Sequence, residues 1–418
     1  MYNDRESPSR RKLPLSTAER IFFAAYVVLG PGVWLLSAYL LRVGRSRMLR
    51  LKNSNAVLPA DPPLVSVLVP AKDERAHIRT CVDRIFGQTY PAIELIAIND
   101  RSTDDTGRAL DAAAAAAPRP MRVVHVDALP EGWLGKCHAL DAGARHAAGE
   151  WLFFVDSDVK LQPDALEKIA ALAIERTYHA LSIMTAIETH RFVEKLMLPL
   201  LAATWAAAFT ADQTNEDSEP DKALANGQVF LIQKAAYDAV GGHAAVRDRI
   251  VEDVELMRLL KKSGFKTRFF AGRHLASTRM HPRLGQMFHA WARIFAGTAR
   301  GSVWPLVATI GFLLACVLSV FAAVGMAAAH SGMGGGAFAS ADARYWLTAA
   351  AVHWMVMTVC CGLIWRWSGN SPVFALLLPL SVPIEIAILL FSVRRAIGGN
   401  VTWRGAQVAL RATSRKAS

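Results

Sequence analysis

The sequence predicts an α/β domain with a mostly parallel sheet, tied to a membrane by transmembrane helices. Three observations predict it. Strand-like runs alternate with helical runs across the first half of a charged middle region. Four long stretches outside that region are almost free of charge. Acidic residues gather just after the strand-like runs, where α/β sheets bind their ligands.

The membrane elements come first in the chain. The protein has 418 residues, is 53% hydrophobic and has a mean hydropathy of +0.24, and this apolarity is concentrated. Residues 21–41 and 302–329 carry no charge, and 345–365 and 372–392 share one acid, Glu385. Each reaches the ~20 residues that cross a bilayer as a helix. The stretch 21–41 is too long for a signal-peptide core and is read as a retained anchor after a basic segment, 1–20. About three segments are expected in 302–392, followed by a basic tail, 393–418. Pro379 and Pro383 point to an interruption or re-entrant hairpin in the last stretch, and Pro31-Gly32 raises the same expectation for the first. The segment 193–211 reads as an interfacial helix.

Net charge is +12. Arg42, Arg45, Arg47, Arg50 and Lys52 follow the first apolar stretch, as cytoplasmic flanks do, and such clusters attract anionic head groups. No basic stripe is interleaved with aromatics, which argues against nucleic acid as a partner. The five cysteines form no metal or disulfide pattern.

Within 54–300 the expected order is strand 64–69, helix 76–86, strand 93–98, helix 103–117 with Ser102 as N-cap, strand 122–126, helix 135–148 and strand 151–155. This order implies a parallel sheet with helices on both faces. "PAKDE" (70–74) follows the first strand, "NDRSTDDT" (99–106) the second and "DSD" (156–158) the fourth. One acidic turn would be ordinary turn chemistry; three on one rim indicate a site for a cation and a polar ligand. Neither phosphate-binding glycine loop is present, since "GWLGKCHA" (132–139) has the Gly-Lys without the spacing. The alternative is phosphate held through Mg²⁺ or Mn²⁺ on carboxylates.

The stretches 65–106, 135–159 and "VED" (251–253) resemble family 2 glycosyltransferases in order and spacing. The resemblance implies a nucleotide-diphospho-sugar transferase domain of the GT-A type, Rossmann-like with a mostly parallel sheet. "EGWLGK" (131–136), "STRMH" (277–281), "WRG" (403–405) and the membrane layout resemble a narrower group, the hopene-associated and carotenoid-type membrane enzymes that act on lipids. By resemblance, Pro70, Asp73, Glu74 and Asp100 line the donor's base and ribose, and Lys136 lies near the diphosphate. Asp156 and Asp158 match D-x-D, with Asp158 the usual metal ligand, and Asp253 matches the general base. Glu252 and Trp291 are candidates for the acceptor side.

The implied activity is inverting, metal-dependent transfer of a sugar from a nucleotide-diphospho-sugar to a hopanoid-, carotenoid- or polyprenyl-like membrane lipid. The expected place is the inner (cytoplasmic) membrane, multi-pass, with the catalytic domain in the cytoplasm. Two alternatives stand beside it. A processive polysaccharide synthase would carry Q-x-x-R-W after the acid; here Gln286 is followed by "MFHA", with Trp291 and Arg293 later. A non-catalytic lipid-binding protein would have no use for the intact D-x-D and Asp253. His243, His274, His281 and His289 lack metal-ligand spacing and read as structural or surface residues.

Overall fold

The computed structural model describes residues 17–209, 211–299, 302–331, 341–398, 400–403 and 406–409. Most of the N-terminal basic segment, the end of the basic tail and part of "WRG" lie outside the described residues.

Seven strands form the main sheet: β1 (Val65–Ala71), β2 (Ile93–Asp100), β3 (Met121–Val126), β4 (Trp151–Val155), β6 (Ala180–Met184), β8 (Val229–Gln233) and β9 (Thr267–Ala271). Their order is β3-β2-β1-β4-β8-β6-β9. All neighbours are parallel except β8, which runs antiparallel to β4 and β6. A second sheet joins β5 (Val159–Leu161), β10 (Ala276–Thr278) and β7 (Ala186–Ile187).

The period of two along each strand sends alternate residues to two cores. Val65, Val67, Val69, Phe153 and Val155 pack with helices Ile78–Phe86 and Ala165–Glu175. Leu68, Ile96, Ile98, Leu152 and Phe154 pack on the other face with helices Gly135–Ala144 and Glu252–Lys262. Both faces of β4 are therefore covered, which is why its five residues are all apolar and all buried.

The expected order of strands and helices holds, with shifted ends. β1 and β2 run two residues further, and the helix expected over 135–148 stops at Ala144. The helix expected from 103 begins at Thr106, and Ser102 is not its cap. The Ser102 hydroxyl instead accepts a hydrogen bond from the Asp73 amide (3.1 Å), joining the loops after β1 and β2.

Among the described residues, four helices are long and apolar enough to cross a membrane: Thr17–Arg47, Trp304–Ala329, Asp342–Ser368 and Pro372–Gly398. Pro31-Gly32 does not break the first; it sits in one π-turn, Val28–Gly32, where the missing proline N–H is accommodated by a wider turn. The irregularity in the last falls at Pro372–Leu377, a 3₁₀ segment, and the α-helix Leu378–Gly398 runs through Pro383 without interruption. The expected interfacial helix is Phe192–Ala206; its residues Leu196–Leu201 are buried by protein, while Phe192 is exposed. Leu196, Met197, Leu198 and Leu201 pack with Met287, Trp291, Cys361, Trp365 and Leu378.

Candidate functional site

β1 is the switch point of the sheet: the chain moves outward through β2 and β3, then returns to place β4 on the other side of β1. Such a reversal opens a crevice at the carboxyl ends of the strands. Pro70 lies in β1 and pairs in register with Ile98. Asp73, with φ at 56°, turns its carboxylate to accept from the Thr103 amide (2.7 Å) and hydroxyl (3.1 Å). The Glu74 amide donates to the Thr106 hydroxyl at 2.8 Å. Asp100, buried at the end of β2, pairs with Arg101 at 2.7 Å. The loops after β1 and β2 thus form one cross-linked rim. Burial first, then the charges of Asp158, Glu74 and Asp156, push the buried Cys81 thiol up to about 12.

The D-x-D turn is anchored on both sides. The Asp156 amide reaches the Gln228 carbonyl (3.4 Å) and its carbonyl accepts from Val159 (3.1 Å). Asp158 Oδ2 accepts from the Thr278 hydroxyl at 3.0 Å. Desolvation first, and the charge of Asp156 second, raise the Asp158 carboxyl above its ordinary range. A carboxylate whose charge is disfavoured beside a second carboxylate suits a divalent cation. Among the described residues no group of three or more His, Cys, Asp or Glu forms a metal cage. Two carboxylates completed by substrate phosphates is the usual arrangement for Mg²⁺, so the residues fit that ion.

Lys136 joins two distant parts of the chain. Its position in the first turn of Gly135–Ala144 aims the ammonium at Asp156 Oδ1 (2.8 Å) and at Glu252 Oε1 (2.9 Å). Desolvation opposes its charge, but Asp156, Glu252 and Asp253 together hold its pKa well above the usual lysine range. Glu252 therefore faces the same site as Asp253.

Asp253 opens Glu252–Lys262 and accepts from the Gly227 amide (2.5 Å) and the Val254 amide (2.8 Å). A helix start alone favours the ionised form. Here burial, then the neighbouring charge of Glu252, outweighs the amides and Lys136 and raises the carboxyl to about 7. That is where a general base works best near neutral pH.

Three contributors were not read from the sequence. A Cβ at Gly227 would lie 3.0 Å from Lys136 Nζ and 3.2 Å from Asp253 Oδ2, so only glycine leaves both groups in place. Thr278 steadies Asp158, and Arg279 pairs with the fully buried Glu194 at 2.9 Å, tying "STRMH" to the helix Phe192–Ala206. "STRMH" was the available signal for the last two. His243 is structural: it is buried, bonded to the Tyr237 hydroxyl (2.9 Å) and packed on Phe154.

A cavity of about 1190 Å³ is lined by Lys136, Asp156, Gly227 and Asp253 and also by Trp34, Trp291, Phe312 and Cys361 of the membrane side. It joins the polar rim to the apolar helices. Trp291 is buried and packs against Phe295, and its indole N–H has no hydrogen-bond partner among the described residues.

Comparison with known proteins agrees with this architecture. Residues 66–254 match the model for glycosyl transferase family 2. A 4,4'-diaponeurosporenoate glycosyltransferase of Staphylococcus aureus (strain USA300) is 27% identical over 249 residues, 59% of this chain and 64% of that protein. Its counterpart in the bovine strain RF122 is 31% identical over 196 residues, 46% and 50% of the two chains. The matches span less than two thirds of these relatives. The structure of the mannosyltransferase PcManGT from Pyrobaculum calidifontis, in complex with GDP-Man and Mn²⁺, superposes with a TM-score of 0.51 at 18% identity. That alignment covers 90% of this chain and 98% of the other, a likeness of fold.

Proposed function

From the match of residues 66–254 to the glycosyl transferase family 2 model, we propose that the chain moves a sugar from a nucleotide-diphospho-sugar to the hydroxyl or acid group of a membrane lipid, with inversion at the sugar carbon. The observation that carries this reading is the continuous cavity from the Asp156–Lys136–Asp253 cluster to the apolar helices. A lipid can stay among apolar side chains while its polar end meets a donor bound at the rim. The carotenoid-type relatives favour a long apolar acceptor.

The loops after β1 and β2, with Pro70, Asp73, Glu74 and Asp100, are assigned to the nucleoside. Asp156 and Asp158 would hold Mg²⁺ or Mn²⁺, which when bound offsets the charge that develops on the departing diphosphate. The Thr278 bond leaves the second oxygen of Asp158 for this task. Lys136 keeps Asp156 oriented and lies close enough to share the diphosphate's charge. Asp253 takes the proton from a hydroxyl acceptor as its oxygen attacks the sugar carbon; the bond to the diphosphate breaks as the new bond forms. Gly227 and Val254 hold that carboxylate in place through the reaction. The membrane is assigned as the cytoplasmic one, with the domain facing the cytoplasm where nucleotide-sugars are made. The arginines after the first helix support that orientation.

The test is mass spectrometry of total lipids from cells with and without the protein. A lipid that gains the mass of one sugar only when the protein is present is the expected outcome. A sugar polymer, or no glycolipid together with no nucleotide-sugar turnover in detergent with Mn²⁺, would sink it.

A further inference from the structure

The cavity has a second charged region. Arg45, Arg50 and Arg273 all line it. They come from separate elements: the last turn of the helix Val33–Arg47, the strand-like segment after it, and the loop between β9 and β10. A short bridge holds them together. The Ala271 amide donates to the Leu49 carbonyl at 2.8 Å, and Arg50 pairs in parallel with Ala271. Arg50 also donates to the Arg45 carbonyl at 3.3 Å. Arg45 lies over the ring of Trp367, 4.7 Å from its centre, at the end of the helix Ala341–Ser368. Arg273 approaches Gly369, just beyond that end.

Like charges so gathered repel, and a fold normally places carboxylates among them. Among the described residues none of these three arginines forms an ion pair with a carboxylate. Burial, then the charge of Arg45, lowers the Arg273 guanidinium from its ordinary range. The cluster therefore lacks its counter-charge. It sits where two membrane-length helices end and the soluble domain begins, which is where lipid head groups would lie if those helices cross a bilayer.

We propose that Arg45, Arg50 and Arg273 form a binding site for the oxyanion head group of a lipid, phosphate or carboxylate, whose chain enters the apolar part of the cavity. Planar guanidiniums suit both groups through paired N–H donors. The stacking on Trp367 fixes one of them in advance of binding. Two sources share this chemistry: an acceptor lipid that carries its own acid group, or an anionic phospholipid that stays bound. The proposal rests on the lipid-acceptor reading above, but retention is measured without sugar transfer, so the two fail separately.

The experiment is native mass spectrometry of the full chain in neutral detergent, offered farnesyl phosphate, phosphatidylglycerol or phosphatidylcholine at equal concentration. The expected result is retention of at least one anionic probe roughly tenfold above phosphatidylcholine. Arg45→Gln and Arg273→Gln should each lower that retention, and Arg273→Lys should restore part of it. Retention of farnesyl phosphate alone points to the acceptor, and of phosphatidylglycerol alone to a resident phospholipid; either supports the site. Equal retention of all three probes, or variants that hold the anionic probe like the wild type while melting at the same temperature, would overturn it. A variant that melts early is replaced by Arg50→Gln, judged by the same comparison.

Discussion

The donor rim and the arginine wall are two parts of one cavity built in different ways. The rim is made of short contiguous motifs at the ends of adjacent strands, so its parts arrive together once β1, β2 and β4 pair. The wall is made of single residues from a membrane helix, a linker and a distant loop, joined by one backbone bridge between residues 49–50 and Ala271. Motifs advertise the first kind of site; nothing in the local sequence advertises the second. Their charges differ as well. The rim's acids are partly answered by Lys136, while the wall's cations have no carboxylate among the described residues.

If the rim carries the chemistry, its variants should affect turnover far more than the wall's. The largest effect is expected at Asp253→Asn, which keeps the shape but cannot accept the proton. Transfer should fall roughly 10³-fold with donor binding nearly unchanged, measured by single-turnover assay and donor titration. A normal rate would remove Asp253 from the mechanism. Asp158→Ala should follow, with a loss of roughly 10²-fold. EDTA should abolish wild-type activity and Mn²⁺ restore it. Full activity in EDTA would exclude the proposed metal role.

Gly227→Ala comes next, at roughly tenfold, because the added carbon pushes Lys136 and Asp253 apart by a few tenths of an ångström. An unchanged kcat would mean that the pair has more freedom than the contacts indicate. The smallest effect is one of pH. A base raised to about 7 is protonated and idle in acid, so kcat/KM should rise with pH and level off above about 7. Glu252 is the main charge that raises it. Glu252→Gln should therefore move the inflection to lower pH and make the variant relatively more active in acid. An inflection that stays in place would mean that burial alone sets the value.

Much of the rim was legible because strands at fixed order deliver the residues after them to one edge. Pro70, Asp73, Glu74, Asp100 and the D-x-D pair could be placed on that edge from alternation and strand order alone. Lys136 was legible as a motif, but not as the bridge between Asp156 and Glu252, since a helix start and a residue 116 positions later meet only through packing. The charge state of Asp253 was not legible, for a related reason. Its helix start favours ionisation, and the opposing burial and the Glu252 charge belong to neighbours brought by the fold. The prolines of the last apolar stretch misled in the same way. Pro379 stands in the first turn, where the missing N–H costs little, and packing carries the helix through Pro383.

By itself, the sequence determined the alternating strands and helices up to Val155 and the membrane-length stretches, because periodicity, length and charge act over neighbouring residues; the later strands, β5 to β10, were not read from it. It also determined the strand-end acids, because a motif keeps its own spacing. Tertiary structure alone decided that β8 enters antiparallel, that Gly227 makes room for both Lys136 and Asp253, and that Arg273 and Arg45 line one cavity. Each depends on contacts between residues far apart in the chain, and those contacts follow from how buried surfaces pack, which no local pattern encodes.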